Sequence, residues 1–149
     1  MKIKLQSIFA IVLTLTLSAW LATANAQDVK SYKEGSVVQI SYIKIKPGKF
    51  EAYMKFLDTT YKAVMDANKK AGLILSYGVY SAQARNPREP DLILTVTYAN
   101  MAALDKSDEG DAVAAKIVGS MDVRNKAAID REALREVLGG ELIRELILQ

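Results

Sequence analysis

Apolar residues in this chain follow strand spacing and helix spacing in a fixed order, and that order limits the fold more than any other feature of the sequence. β-Branched and apolar residues crowd 37–46 and predict a strand, which Pro47-Gly48 ends. From Phe50 to Asn68 the apolar residues recur every three or four positions, which predicts a helix that stops before Gly72. The same criteria predict strands at 73–81 and 91–98, a short helix capped by Asn100, a mostly helical stretch at 111–138 closed by Gly139-Gly140, and a last strand at 141–148.

The predicted order, β-α-β-β-α-β, is the ferredoxin-like arrangement of the α+β class. It gives a four-stranded antiparallel sheet with both helices on one face. A sheet whose other face is solvated shows a clean alternation of apolar and polar residues. Several strands here are instead apolar at adjacent positions: Val37 with Val38, Leu73 with Ile74 and Leu75, Leu92 with Ile93 and Leu94, and Leu146 with Ile147 and Leu148. The helix-free face is therefore expected to meet an apolar surface, and a second copy of the chain, related by a two-fold axis, is the simplest partner.

The first 26 residues have the pattern of a cleaved signal peptide. Lys2 and Lys4 precede a short apolar run from Ile8 to Leu21, and Ala24-Asn25-Ala26 fits the cleavage site. The run is short of the roughly 20 residues that a membrane-spanning helix needs, so cleavage is favoured over an uncleaved anchor. We therefore divide the chain into a signal peptide (1–26), a flexible lead-in (27–36) and one domain (37–149), and expect a periplasmic or secreted protein that leaves the membrane once the signal is cleaved.

The chain after residue 26 has nearly balanced charge and few reactive residue types. Without Lys2 and Lys4 the 20 basic residues fall to 18 against 17 acidic ones, and no basic stripe with interleaved aromatics occurs, so nucleic acid is not an expected partner. The chain has no Cys and no His, and its single Trp, Trp20, lies in the leader. These absences exclude zinc in its usual Cys/His environments, a His-activated nucleophile and a His general base, and we expect no metal and no cofactor.

Two segments resemble the dimeric α/β-barrel superfamily, which includes cofactor-independent antibiotic-biosynthesis monooxygenases and stress-responsive barrel proteins. The segment from Tyr42 to Phe50, YIKIKPGKF, resembles a first strand followed by Pro-Gly-Lys and a helix, and the segment from Tyr98 to Leu104, YANMAAL, resembles the end of strand three entering a short helix. The resemblance implies a homodimer whose sheets pack face to face into a barrel. It also implies a small pocket between sheet and helices, which in catalytic members often carries His, Trp, or Asn beside aromatic residues.

Polar residues on predicted strands and on the helical apolar stripe are the candidates for lining a ligand pocket. Asn68 lies on the stripe, where a buried amide needs hydrogen bonds. Arg144 interrupts the last strand, and a buried Arg needs a partner, which Glu141 or Glu145 could supply. Which strand face lines the barrel stays open. The candidates are Gln39, Ser41, Asn68, Tyr77, Thr95, Thr97 and Arg144.

Three functions remain open at this point. The first is an exported homodimeric barrel protein that binds a small apolar or aromatic molecule or is non-catalytic. The second is a cofactor-independent monooxygenase or isomerase on a small aromatic substrate, with Tyr and Asn groups polarising the substrate and Arg144 stabilising an anion. The third is a structural or protein-interaction domain.

Overall fold

The computed structural model describes residues 30–149, so the predicted signal peptide lies outside the described residues, as does the start of the lead-in. Residues Tyr32–Gln149 form one unit. The strands are β1 (Tyr32–Ile45), β2 (Ser76–Ser81), β3 (Leu92–Tyr98) and β4 (Arg135–Leu148). Helix α1 consists of Phe50–Phe56, a π-helical turn Leu57–Tyr61 and Lys62–Lys70; a 3₁₀ helix, Met101–Lys106, leads into α2 (Ser107–Val118), and α3 is Met121–Glu132. Within 30–149 no helix is both long and apolar enough to span a membrane.

The four strands form one antiparallel sheet in the order β2-β3-β1-β4. With one helix after β1 and a helical region between β3 and β4, this is the ferredoxin-like arrangement, and the predicted fold class is confirmed. The two central strands are β3 and β1. Strand β4 pairs only with β1, so it is an edge strand although it has 14 residues. Long edge strands offer unpaired backbone groups and are normally covered or blunted.

The first helix packs against the middle of the sheet through one apolar stripe. Tyr53 and Leu57 are 1% and 3% exposed, and they form the core with Ile43 of β1 and Leu92 of β3. At the start of the stripe the buried residue is Tyr53, whereas Phe50 is 48% exposed. The π-helical turn inserts one residue into the helical spacing directly after this core. Further along α1, in its last turn, the side chain of Asn68 is buried.

Two predicted element ends are confirmed by their capping geometry. Gly72 has φ 72° after the last turn of α1, and the Leu73 N–H donates to the Asn68 carbonyl at 3.0 Å. This left-handed glycine closes the helix in the manner expected for a position after the last turn. The Asn100 side chain accepts a hydrogen bond from the Ala103 N–H at 3.1 Å and so caps the 3₁₀ helix.

Other predicted boundaries are wrong, and the largest error concerns the C-terminal part. Helix α3 ends at Glu132 and β4 begins at Arg135, so Gly139-Gly140 lies inside a strand and does not close a helix. A Cβ added to Gly140 would lie 2.4 Å from the Ile40 carbonyl oxygen, because β1 and β4 approach closely at a register shift. Glycine in a strand often marks such an approach. Elsewhere β1 begins at Tyr32 instead of Val37, and β2 begins at Ser76 instead of Leu73.

The two faces of the sheet differ in what covers them. The helix-covered face carries Gln39 opposite Val96 and Leu142, because directly paired residues share a face. The helix-free face carries the alternate residues and is mixed in polarity. Its apolar members include Val38, Ile40, Tyr42, Ile93, Tyr80 and Ile143, and its polar members include Ser76, Thr95, Thr97, Glu141 and the pair Lys44 and Glu136.

Candidate functional site

A cavity of about 430 Å³ lies between α1, α2 and the helix-covered face of the sheet. It is called the Asn68 cavity here. Its walls are mainly apolar, with Val64 and Met65 from α1, Leu73 and Ile74 from the following loop, and Val96 from β3. Uncharged polar groups reach it from the sheet and from α1: Gln39 of β1, Asn68 of α1 and Tyr98 of β3. A mainly apolar wall with a few convergent polar groups is typical of small-molecule sites.

The Asn68 amide is held in place by its own helix. Its Nδ2 donates to the Val64 carbonyl at 3.0 Å, and the residue is 8% exposed. The Oδ1 atom faces α2 at Gly110, where an added Cβ would lie 3.7 Å away. The acceptor Oδ1 therefore faces a space that is open because residue 110 is glycine, and a larger side chain at that position would fill it.

Gln39 and Tyr98 form a second polar pair in the same cavity. The Tyr98 hydroxyl donates to Gln39 Oε1 at 3.2 Å. Burial raises the pKa of Tyr98 above its ordinary value, so this hydroxyl remains protonated at neutral pH. With Oε1 accepting from Tyr98, the Gln39 Nε2 group is the donor that this pair offers to a ligand.

Charged residues stand where the cavity meets the beginning of α2. Lys106 and Asp111 both line it. Asp111 is neutralised by α3, since its Oδ1 lies 3.0 Å from Arg124 Nη1. The cavity thus combines two amides, one phenol, the Ser107 hydroxyl, a lysine and an aspartate that is paired with Arg124.

The structure brings together some of the predicted site residues and separates others. Gln39 and Asn68 line the Asn68 cavity, while Ser41 lines a neighbouring cavity under α1. Thr95 and Thr97 pair with Ile40 and Val38 and lie on the helix-free face.

Tyr77 and Arg144 each have a partner outside the Asn68 cavity. The Tyr77 hydroxyl donates to Asp66 Oδ1 at 2.6 Å, and its ring makes an edge-on contact with Tyr61. Arg144 pairs with Glu34 of β1, with Nη1 and Oε2 2.9 Å apart, so the expected partners on β4 were wrong. A role for Arg144 at the same ligand as Asn68 therefore lacks support from this geometry.

Sequence reasoning missed several residues around the interlayer space. Tyr98 shares the face of Gln39, but this parity follows only from the register of β1 with β3. Arg131 and Arg135 were also missed, because the predicted helix ran through both of them, whereas the chain passes from α3 into β4 between them. Among residues 30–149, no group of three or more His, Cys, Asp or Glu side chains is placed to hold a metal ion.

No protein-family model matches the chain, and no curated protein matches it in sequence. Solved structures with a similar fold include HapK and protein SO0527. HapK from Hahella chejuensis is 13% identical, with 73% of this chain and 91% of HapK covered and a TM-score of 0.48. Protein SO0527 from Shewanella oneidensis is 18% identical, with 78% and 98% covered and a TM-score of 0.49. At such identities the likeness concerns the fold alone, and function has to be argued from the residues of this chain.

Proposed function

We propose that this chain is an exported homodimeric α/β-barrel protein that binds a small apolar or aromatic molecule in the Asn68 cavity. The observation that carries the proposal is the placement of three polar side chains, from Gln39, Asn68 and Tyr98, in one mainly apolar cavity of about 430 Å³. Pockets for small molecules have this size and composition. The buried amide of Asn68 would orient the ligand, and the apolar wall would contribute most of the affinity.

The homodimer is supported by the helix-free face of the sheet. Val38, Ile40, Ile93 and Ile143 lie on this face, and Ile143 is 47% exposed. These apolar side chains form a patch that Thr95, Thr97 and Glu141 interrupt, and exposed apolar patches commonly mark interaction surfaces. A two-fold related copy offers the same patch, and the resulting face-to-face pairing is that of the dimeric α/β-barrel superfamily, which the segments 42–50 and 98–104 resemble.

Export is supported by the sequence of residues 1–26 and by the absence of Cys from the whole chain. A periplasmic or secreted location follows from it. Amino-terminal sequencing of the protein recovered from the periplasm tests this part, and we expect the mature chain to begin at Gln27. Recovery of a chain that still begins at Met1 would contradict it.

Native mass spectrometry of the protein purified from an exported source, without denaturing washes, tests the binding function. We expect a dimer that carries an additional small mass. Asn68→Leu removes the amide at nearly constant volume, and Gly110→Leu fills the space in front of Asn68 Oδ1; both are expected to remove the additional mass. Asn125→Leu, the same replacement at an exposed position of α3, is the matched control and should retain it.

The outcomes separate the parts of the proposal. A dimer without additional mass from the wild-type chain would contradict ligand binding and leave the homodimer standing. An additional mass that persists in both Asn68→Leu and Gly110→Leu would place the ligand outside the Asn68 cavity. A monomer at micromolar concentration would contradict the barrel pairing.

A further inference from the structure

A second interlayer space lies beside the Asn68 cavity and differs from it in charge. It consists of two adjoining compartments of about 240 and 230 Å³ that share Phe56, Tyr61 and Arg131. Arg135 and Ser41 are further polar residues that line the inner compartment. This space is called the arginine cavity here, and it has no polar side chain in common with the Asn68 cavity.

Four polar groups that line the arginine cavity are buried without a hydrogen-bond partner. They are the Tyr61 hydroxyl and the Nε atoms of Arg124, Arg131 and Arg135. A buried donor without a partner is destabilising, and natural structures rarely leave several of them in one place. The three arginine Nε–H groups can only donate, and the Tyr61 hydroxyl can donate as well, so an acceptor would serve all four groups.

The charges around the cavity point to an anionic acceptor. Arg131 and Arg135 form no ion pair with any residue in 30–149, whereas Arg124, at the edge of the outer compartment, is paired with Asp111. Burial lowers the pKa of Arg131, and the neighbouring charge of Arg135 lowers it further. Two guanidinium groups that repel each other in a partly buried site are stabilised by an anion between them.

Aromatic and aliphatic groups form the rest of the wall. The Arg131 guanidinium lies 5.1 Å from the centre of the Phe56 ring, and that of Arg135 lies 6.0 Å from the centre of the Tyr53 ring. Both planar groups are thereby held at fixed orientations. Ile43, Leu94 and Val137 line the inner compartment, so a ligand there also meets apolar surface.

We propose that the arginine cavity binds a small carboxylate with a planar apolar body, such as an aromatic acid. The carboxylate accepts hydrogen bonds from Arg131, Arg135 and the Tyr61 hydroxyl, and the apolar body packs on Phe56 and the aliphatic wall. Guanidinium groups match the planar carboxylate geometrically, which a lysine would not. The site is separate from the Asn68 cavity, so the two assignments stand or fall independently.

Isothermal titration calorimetry of the wild-type mature protein near neutral pH tests this proposal with benzoate as the probe. We expect benzoate to bind at least about tenfold more tightly than benzamide, which has the same shape without the charge, because charge-assisted hydrogen bonds are the stronger ones. We expect inorganic phosphate to bind at least about tenfold more weakly than benzoate, because it gains nothing from the apolar wall. Equal binding of benzoate and benzamide would overturn the anion site, and equal binding of phosphate would overturn the aromatic acid as ligand.

Substitutions locate the site on the protein. Arg131→Gln and Arg135→Gln should each weaken benzoate binding by about tenfold or more, since each removes a charge and a donor. Lys126→Gln, an exposed position on α3 whose ammonium group pairs with Asp130, changes the net charge equally and should leave benzoate binding unchanged. Asn68→Leu should also leave it unchanged. If Lys126→Gln weakens binding as much as Arg131→Gln does, binding is a general charge effect and the proposed site is wrong.

Discussion

The first and second halves of the domain bury their side chains very differently. Every buried residue of the described chain lies between Val37 and Leu92, and none lies between Ile93 and Gln149. The second half is nevertheless apolar, since Met121 is 57% and Leu146 54% exposed. Exposed apolar surface of this kind commonly marks an interaction site. The contrast therefore places the packed core of the monomer in β1, α1 and β3, and the proposed homodimer would cover part of the apolar surface of the second half through β4.

The largest expected effect is the loss of the proposed dimer when a charge is introduced on the helix-free face of β4. Ile143 and Leu142 are adjacent and equally exposed, at 47%, but Ile143 pairs with Val38 and Leu142 with Gln39, so they point to opposite faces. Ile143→Asp buries a carboxylate in the proposed dimer interface and should convert the protein to monomers, because an unpaired buried charge costs several kcal/mol. Leu142→Asp is the matched control and should remain dimeric. Sedimentation velocity at micromolar concentration measures both variants.

A different pair of results would reverse the assignment of faces. If Leu142→Asp dissociates while Ile143→Asp stays dimeric, the copies meet through the helix-covered side of β4. If both variants remain dimeric, the unburied second half has another partner.

The second prediction compares the two halves within one protomer. Leu57 is 3% exposed in the core, and Leu57→Ala should lower the free energy of unfolding by about 3 kcal/mol through lost burial and a cavity. Ile129 of α3 is 71% exposed, and Ile129→Ala should change it by less than about 0.5 kcal/mol. Urea denaturation of both variants, made in the monomeric Ile143→Asp background, isolates the protomer. Equal losses at the two positions would mean that the second half packs as closely as the first.

The same contrast explains what the sequence predicts and where prediction fails. Helix α1 was predictable because its stripe, its Pro47-Gly48 entry and its Gly72 exit all act locally. The region after Glu132 was not, because α3 ends there without a glycine, and Gly139-Gly140 serves a close approach of two strands that are distant in sequence. Whether Gln39 or Thr95 faces the helices depends on which side of the sheet the helices cover. The ion pair of Arg144 with Glu34 depends on the register between β4 and β1. Asn68 was found because a polar residue on an apolar stripe is visible in the sequence itself.

The third prediction concerns Asp91, the residue directly before β3, whose carboxylate accepts hydrogen bonds from β1. Asp91 Oδ1 accepts from Lys44 Nζ at 2.9 Å and Oδ2 accepts from the Ile45 N–H at 2.8 Å. Desolvation acts to raise the pKa of Asp91, but the hydrogen bonds from Lys44 and Ile45 outweigh it and hold the pKa below the ordinary 3.8. Asp91→Asn should therefore lower the free energy of unfolding near pH 7 by about 1 kcal/mol.

The sign of the pH dependence follows from the lowered pKa. A carboxyl group whose pKa is lower in the folded than in the unfolded state contributes stability above the unfolded value, and this contribution is lost as the pH falls through the folded value. Urea denaturation at neutral pH and below the ordinary pKa of 3.8 should therefore show a smaller difference between wild type and Asp91→Asn in acid. Asp130→Asn removes a carboxylate paired with Lys126 on the surface of α3 and is the control, with less than about 0.5 kcal/mol expected at either pH. A difference that stays constant with pH would contradict the role of the ionised carboxylate.

The smallest expected effect distinguishes two tyrosine hydroxyls whose rings touch. Tyr61 and Tyr77 have ring centres 5.9 Å apart, but the Tyr77 hydroxyl donates to Asp66 whereas that of Tyr61 is buried without a partner. Tyr77→Phe should therefore lower the free energy of unfolding by about 1 kcal/mol, and Tyr61→Phe should leave it unchanged or raise it, because it removes an unsatisfied group. Urea denaturation of the ligand-free protein near neutral pH measures both variants.

Alkaline pH provides a second measurement of the same hydroxyl. Burial raises the pKa of Tyr61 to about 12, with smaller contributions from Tyr53, Tyr77 and Tyr98. Between the ordinary value of 10.0 and this one, the folded chain keeps a proton that the unfolded chain releases, so stability falls as the pH rises through that window. Tyr61→Phe should lose this part of the alkaline destabilisation. If it instead lowers the neutral-pH stability as much as Tyr77→Phe does, the Tyr61 hydroxyl already has an acceptor within the protein, and the arginine cavity has one donor fewer to offer a carboxylate.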